Sequence, residues 1–155
     1  MNRKKYFVLV MLLLPILAFA QIAEELEQMI EADTVSAAKA ARFVLEAAGL
    51  LQPGISGHAA ERAAYDMASL NGWIRIPAEE NVSVKDTAFL IMKAFNLKGG
   101  IFYSIFKNPR YAYREMVYRK LVQGYPDPGA KASGRGLMQI LGKTLSYTGE
   151  SPEGA

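Results

Sequence analysis

Apolar residues along this chain recur every three to four positions rather than at every second one, which predicts helices and no strand of any length. A continuous apolar run fills Phe7 to Phe19, broken only at Pro15. Beyond it, Ile22, Leu26, Met29 and Ile30 fall at helical spacing in an acidic background and predict a helix over about 22–32. Ser36 is suited to cap a second helix, its hydroxyl oxygen accepting from a first-turn amide, with Ala40, Phe43, Val44 and Ala47 as the buried stripe. Gly49 and then Gln52-Pro53-Gly54 stop that helix. A third, over 58–71, presents the small face Ala60, Ala64, Met67 and Ala68 and ends at Asn71-Gly72. Trp73, Ile74 and Ile76 make a short apolar segment before Pro77, and the helix after Ser83 buries Ala88, Ile91, Met92 and Phe95.

The second half is less regular. Ile101 to Phe106 suits a short helix through its i, i+4 pairs, and its aromatic content suits a strand equally. Asn108-Pro109 opens a helix to about Val122, and Ser133 opens a last one that ends near Leu145. Residues 146–155 are polar with Gly and Pro and are expected to be a disordered tail. The class is all-α, one domain of six or seven helices.

One layout occurs twice in this pattern. Ala64-Tyr65, Asn71-Gly72-Trp73-Ile74, a polar loop, Val82-Ser83 and Thr87 to Phe95 match Ala112-Tyr113, Arg119 to Val122, Gly124-Tyr125-Pro126-Asp127-Pro128, Ala132-Ser133 and Leu137 to Leu145. A helix–loop–helix unit of roughly 50 residues cannot bury its apolar face alone and stacks on a copy of itself. That favours a binding or scaffolding module over a catalyst.

Charge changes this picture at the N-terminus. Arg3-Lys4-Lys5, the apolar run and Ala18-Phe19-Ala20 are the three parts of a secretory signal peptide over 1–20, with an uncleaved anchor as the alternative. The run is shorter than the ~20 apolar residues a comfortable span needs. The formal charge of +3 comes from those three head cations, so the chain after residue 20 is balanced. Its charges are nonetheless segregated: residues 21–35 carry Glu24, Glu25, Glu27, Glu31 and Asp33 without a cation. Residues 98–120 carry Lys98, Lys107, Arg110, Arg114, Arg119 and Lys120 against Glu115 alone. Either each is a surface cluster or the two lie against each other. Balance and export make nucleic acid a poor partner. The absence of cysteine closes the lipoprotein route and leaves a core held by packing alone.

Lys120-Leu121-Val122-Gln123-Gly124-Tyr125-Pro126-Asp127-Pro128 resembles the middle of the S-layer homology repeat, a helix ending in Gly and two hydrophobic residues, a Gly-Tyr-Pro-Asp-Gly loop, then Ile-Thr-Arg-Ala-Glu. Gly72-Trp73-Ile74 with Val82-Ser83-Val84-Lys85-Asp86 resembles another copy, and Val35-Ser36-Ala37-Ala38-Lys39 the second half of a third. The resemblance covers roughly 22–145. It implies three units in one compact domain, the first truncated, over 21–145, and attachment of an exported protein to cell-wall polysaccharide or peptidoglycan. The family's Thr is Ser at Ser36, Ser83 and Ser133, which keeps a helix cap. Its Arg is Ala37, Val84 and Gly134, and its Glu is Lys39, Asp86 and Gly136. The function implied is a non-enzymatic envelope protein that binds wall glycan or docks to the envelope; the alternative is a periplasmic interaction protein that kept the fold and lost the sugar.

Candidate chemistry is sparse and points to no cofactor and no metal. His58 is the single histidine and sits at a loop-to-helix junction, most simply as a surface residue. Glu79, Glu80 and Asp86 would serve glycan cleavage only as carboxylates sharing one cleft. In the loop at 124–129, Pro126 and Asp127 suit a turn, while Tyr125 and Asp127 also suit sugar binding. The aromatic-basic run holds Arg110, Arg114 and Tyr118 at helical steps, a face fitted to an anionic, partly apolar partner such as wall glycan or a lipid headgroup. The alternative packs its tyrosines inward and pairs its arginines with the acidic helix. Gly99 to Phe106, between Lys98 and Lys107, is suited to peripheral membrane contact or to burial between units.

Overall fold

Three serines open three of the helices, and the residue before each serine builds the centre of the molecule. The structure, a computed structural model, describes residues 23–52 and 55–150. Among these are seven helices and no strand: α1 at 23–31, α2 Ala37–Ala47, α3 Gly57–Leu70, α4 Val84–Ala94, α5 Ile101–Phe106, α6 Pro109–Tyr118 and α7 Gly134–Glu150. The all-α class expected from the periodicity is what the chain adopts. The signal segment 1–20, Pro53-Gly54 and residues 151–155 lie outside the described residues.

The serines cap as their position suggests. Ser36 Oγ accepts from Lys39 N at 3.4 Å, Ser83 Oγ from Asp86 N at 3.3 Å and Ser133 Oγ from Gly136 N at 3.1 Å. Ser83 and Asp86 form a complete capping box.

The three capped segments also bond to one another in a closed ring. Val35 N donates to Ala132 O (3.1 Å), Ala132 N to Val82 O (2.9 Å) and Val82 N to Val35 O (2.9 Å). A second ring runs around the first. The leading amides of α2, α4 and α7 (Ala37, Val84 and Gly134) donate at 2.8–2.9 Å to Glu80, Ala130 and Ala32 O, respectively. Helix-opening amides have no intrahelical partner, and here the neighbouring segment supplies one each time. Isolated antiparallel bridges Ser36–Asn81 and Ser83–Lys131 belong to the same arrangement.

Around this centre sits the core. Eight of the eleven residues of α4 are buried, and α2 buries Ala37, Ala40, Ala41, Val44 and Leu45 against α4 and the alanine face of α3. Small side chains on α2 and α3 allow close approach.

Two helix ends differ from expectation. α6 stops at Tyr118, not Val122, because Lys120 takes a left-handed conformation (φ 60°) and Leu121 and Val122 N turn back to Met116 O. The turn after α3 has the same form, there with Gly72 at φ 67°. α7 runs to Glu150, so residues 146–150 are helical rather than part of a disordered tail. Ser146 and Thr148 hydroxyls donate back to helix carbonyls, and Tyr147 Oη accepts from Arg119 Nη1 at 3.0 Å, which fixes the last turns against α6.

Candidate docking surface

The best candidate surface is built by α5 and α6. Asn108 Oδ1 accepts from Tyr111 N at 3.1 Å and Pro109 stands at the first helical position, so α6 starts where α5 ends. Ala112 and Met116 fasten α6 to the core. α5 has six residues and buries one of them, Tyr103, which packs on Gly99; burial pushes its phenol pKa up. A Cβ on Gly99 would lie 2.4 Å from the Tyr103 ring. Glu115 Oε2 accepts from Gly100 N at 2.9 Å and thereby holds the start of α5 to α6.

This fixation turns four apolar side chains outward. Ile101, Phe102, Ile105 and Phe106 are 77%, 63%, 66% and 55% exposed. Phe102 and Phe106 both stack on the Tyr111 ring, at centroid distances of 5.9 and 5.2 Å. Burial of 101–106 between units, one of the two sequence expectations, is therefore not what happens; the segment is a helix and faces outward.

Arg110, Arg114 and Tyr118 are brought to this surface as the helical spacing implies. All three are exposed, Tyr118 to 84%, and the Arg114 guanidinium sits 6.0 Å from the centre of the Tyr111 ring. Tyr111, Tyr113 and Tyr103 do turn inward, but the acidic helix finds its partner elsewhere. Glu25 pairs with Arg42 on α2 at 2.5 Å, and Arg42 also meets Glu46 at 2.9 Å. Burial pulls the Arg42 pKa down, yet the hydrogen bonds and charges of Glu46 and Glu25 prevail and leave it raised.

Arg119 and Glu115 matter more than their place in a charge run suggested. Arg119 Nε meets Glu115 Oε1 at 2.8 Å, its terminal nitrogens reach Lys98 O and Tyr147 Oη, and so one guanidinium ties α6 to α7 and to the α4–α5 link. Their i, i+4 spacing was the available signal.

Tyr125 and Asp127 take structural roles. Tyr125 is half-buried, and its hydroxyl lies 3.1 Å from Ser133 Oγ, in the space left by Gly136, where a Cβ would come within 1.8 Å of Tyr125 Oη. Its carbonyl accepts from Tyr113 Oη, as Ile76 O accepts from Tyr65 Oη at 3.0 Å. Asp127 Oδ1 accepts from Gly129 N at 2.8 Å, an Asx turn on an exposed loop. The Tyr125 hydroxyl thus belongs to the packing of the helix start, its side chain is only partly buried, and Asp127 stays exposed.

The remaining candidates disperse. His58 is fully exposed with Nδ1 3.2 Å from Glu61 Oε2. It borders a shallow groove of about 640 Å³ together with Arg62, Asp66 and Glu79. Glu80 faces Lys131 at 3.8 Å and Asp86 is engaged in the Ser83 cap, so Glu79, Glu80 and Asp86 do not share a cleft. Among the described residues no cluster of His, Asp or Glu is suited to a metal ion, and no helix is long and apolar enough to cross a membrane. Set against protein-family models, curated proteins and solved structures, the chain has no match.

Proposed function

We propose that this chain is a non-catalytic docking module of the bacterial cell envelope, exported by its first 20 residues and built on a scaffold of three S-layer-homology-like units, the first shortened. The observation that carries this reading is the closed ring of hydrogen bonds through Val35, Val82 and Ala132, each just before a capping serine. Copies that each bond to the next close on themselves only when the last meets the first. The shortened first unit still supplies Ala32 O to Gly134 N, so the outer ring closes too.

The docking face is that of α5 and α6, where Arg110, Arg114 and Tyr118 stand exposed beside an apolar ledge. The resemblance implies wall glycan as a ligand, and exposed arginines next to aromatic rings suit an anionic, partly apolar partner. Retention of the protein on purified sacculi at low salt, reduced in Arg110→Ala/Arg114→Ala, is the expected result. No retention would sink the glycan-binding form.

A second reading keeps the scaffold without the sugar and makes the chain a periplasmic interaction protein. It is favoured by the positions where the resembling family carries Arg: Ala37, Val84 and Gly134 are all buried, so no side chain there reaches a ligand. Photo-crosslinking in cells from position 118 then captures an envelope protein and no wall material.

A further inference from the structure

We infer that the α5–α6 face docks on an anionic lipid surface, with Ile101, Phe102, Ile105 and Phe106 set among the headgroups and the surrounding cations against lipid phosphates. This rests on the reading of the chain as an envelope module and gives that same face a lipid partner distinct from wall glycan.

A helix of six residues is too short to bind a bilayer as a free amphipathic helix, which needs a sizeable apolar face. Here the shortness is offset by rigidity. Tyr103 anchors α5 inward, Glu115 holds the Gly100 amide at its N-cap, and the Phe102 and Phe106 rings rest on Tyr111, so the backbone that carries the four apolar side chains is already ordered. Tyr118 stands at the rim, an aromatic residue with a polar tip of the kind that favours the water–lipid boundary.

Charge selects the occupant. Among the described residues, one flank of α5 is a groove bordered by Lys93 and Lys107 with no acid lining it, and the other carries Arg114, with the exposed Arg110 one turn before it. The single acid on that second flank, Glu115, is already bound to Arg119 and to Gly100 N. A second copy of the chain seated on this face would bring two cationic rims together, which disfavours self-association. An anionic leaflet complements both the apolar centre and the rim.

The test is co-sedimentation of the protein as purified from the envelope fraction with vesicles of phosphatidylglycerol and phosphatidylethanolamine, compared with phosphatidylcholine alone. Binding to the anionic vesicles that weakens as salt is raised is expected. Ile101→Ser/Ile105→Ser and, separately, Arg110→Glu/Arg114→Glu each lower it by about tenfold or more. These side chains are exposed, so an unchanged thermal melt shows that the fold is kept. Three results would overturn the inference: no binding to anionic vesicles at low salt, undiminished binding by both variants, or a wild-type dimer that the serine variant makes monomeric. Fractionation checks the underlying reading independently. A chain retained unprocessed in the cytoplasm removes the envelope role whatever the vesicles show, whereas sacculus binding without vesicle binding removes the lipid alone.

Discussion

The turn after α3 and the turn after α6 follow one course with different residues. Asn71, Gly72, Trp73 and Ile74 N donate to Met67, Ser69, Ala68 and Ala68 O, and Arg119, Lys120, Leu121 and Val122 N donate to Glu115, Val117, Met116 and Met116 O. Tyr65 and Tyr113 then send their hydroxyls to the loop carbonyls of Ile76 and Tyr125. The helix starts that follow diverge. In the first copy Asp86 completes the Ser83 cap; in the second, Gly136 stands at that position and the Tyr125 hydroxyl approaches Ser133 instead. The backbone scheme is the constant, and the second copy reaches it with compensations the first does not need.

The largest test of this contrast lies at the first residue of the capped helices. Val84 carries a full side chain in the first copy, but a Cβ on Gly134 would fall 1.5 Å from Met29 O, a backbone atom of α1. Gly134→Ala must push α1 and α7 apart and is expected to destabilise by about 3 kcal/mol in urea unfolding. A variant as stable as wild type would mean that α1 does not pack there.

Next comes the Tyr125 substitute for a capping carboxylate. Gly136→Ala is expected to cost about 2 kcal/mol because the new methyl meets the Tyr125 hydroxyl. Tyr125→Phe removes that oxygen, so the double variant should recover about 1 kcal/mol relative to the sum of the singles. Strict additivity would remove the link between the two positions.

How far the sequence announced all this depends on what each feature required. Caps at Ser36, Ser83 and Ser133, the alanine face of α3 and the Asn108-Pro109 start are local patterns, and the structure has them. The end of α6 is not legible locally because Lys120 occupies a turn position that glycine fills at 72, so residue type does not signal the turn. Helix at 146–150 depends on Tyr147 meeting Arg119, 28 positions earlier, a contact no local composition reports. The site divides the same way. Helical spacing sufficed to group Arg110, Arg114 and Tyr118 on one surface, whereas the inward role of Tyr125 depends on the emptiness of Gly136 eleven residues later.

The caps themselves should differ less than the packing around them. Asp86→Ala breaks the capping box of α4 and is expected to cost about 1 kcal/mol, read from the shift of the urea midpoint at constant slope. In Ser133→Ala the Tyr125 hydroxyl loses its partner together with Gly136 N, so a similar cost is expected even though no carboxylate is involved. A cost confined to Asp86 would make the Tyr125 arrangement incidental.

The smallest effect has the opposite sign. Lys120 at φ 60° has a Cβ close to the following carbonyl, a conformation that costs a non-glycine residue about 1 kcal/mol. Lys120→Gly removes that strain but gives the unfolded chain more freedom, so the net gain is about 0.5 kcal/mol. The mirror substitution Gly72→Lys should lose a comparable amount, since a Cβ at Gly72 meets nothing within 4 Å and only the backbone conformation (φ 67°) opposes it. Measured together by urea unfolding, the two changes exchange the residues of equivalent turns. If both lose stability, Lys120 contributes a favourable contact that outweighs its strain, and the second copy is adapted at that turn rather than merely tolerant of it.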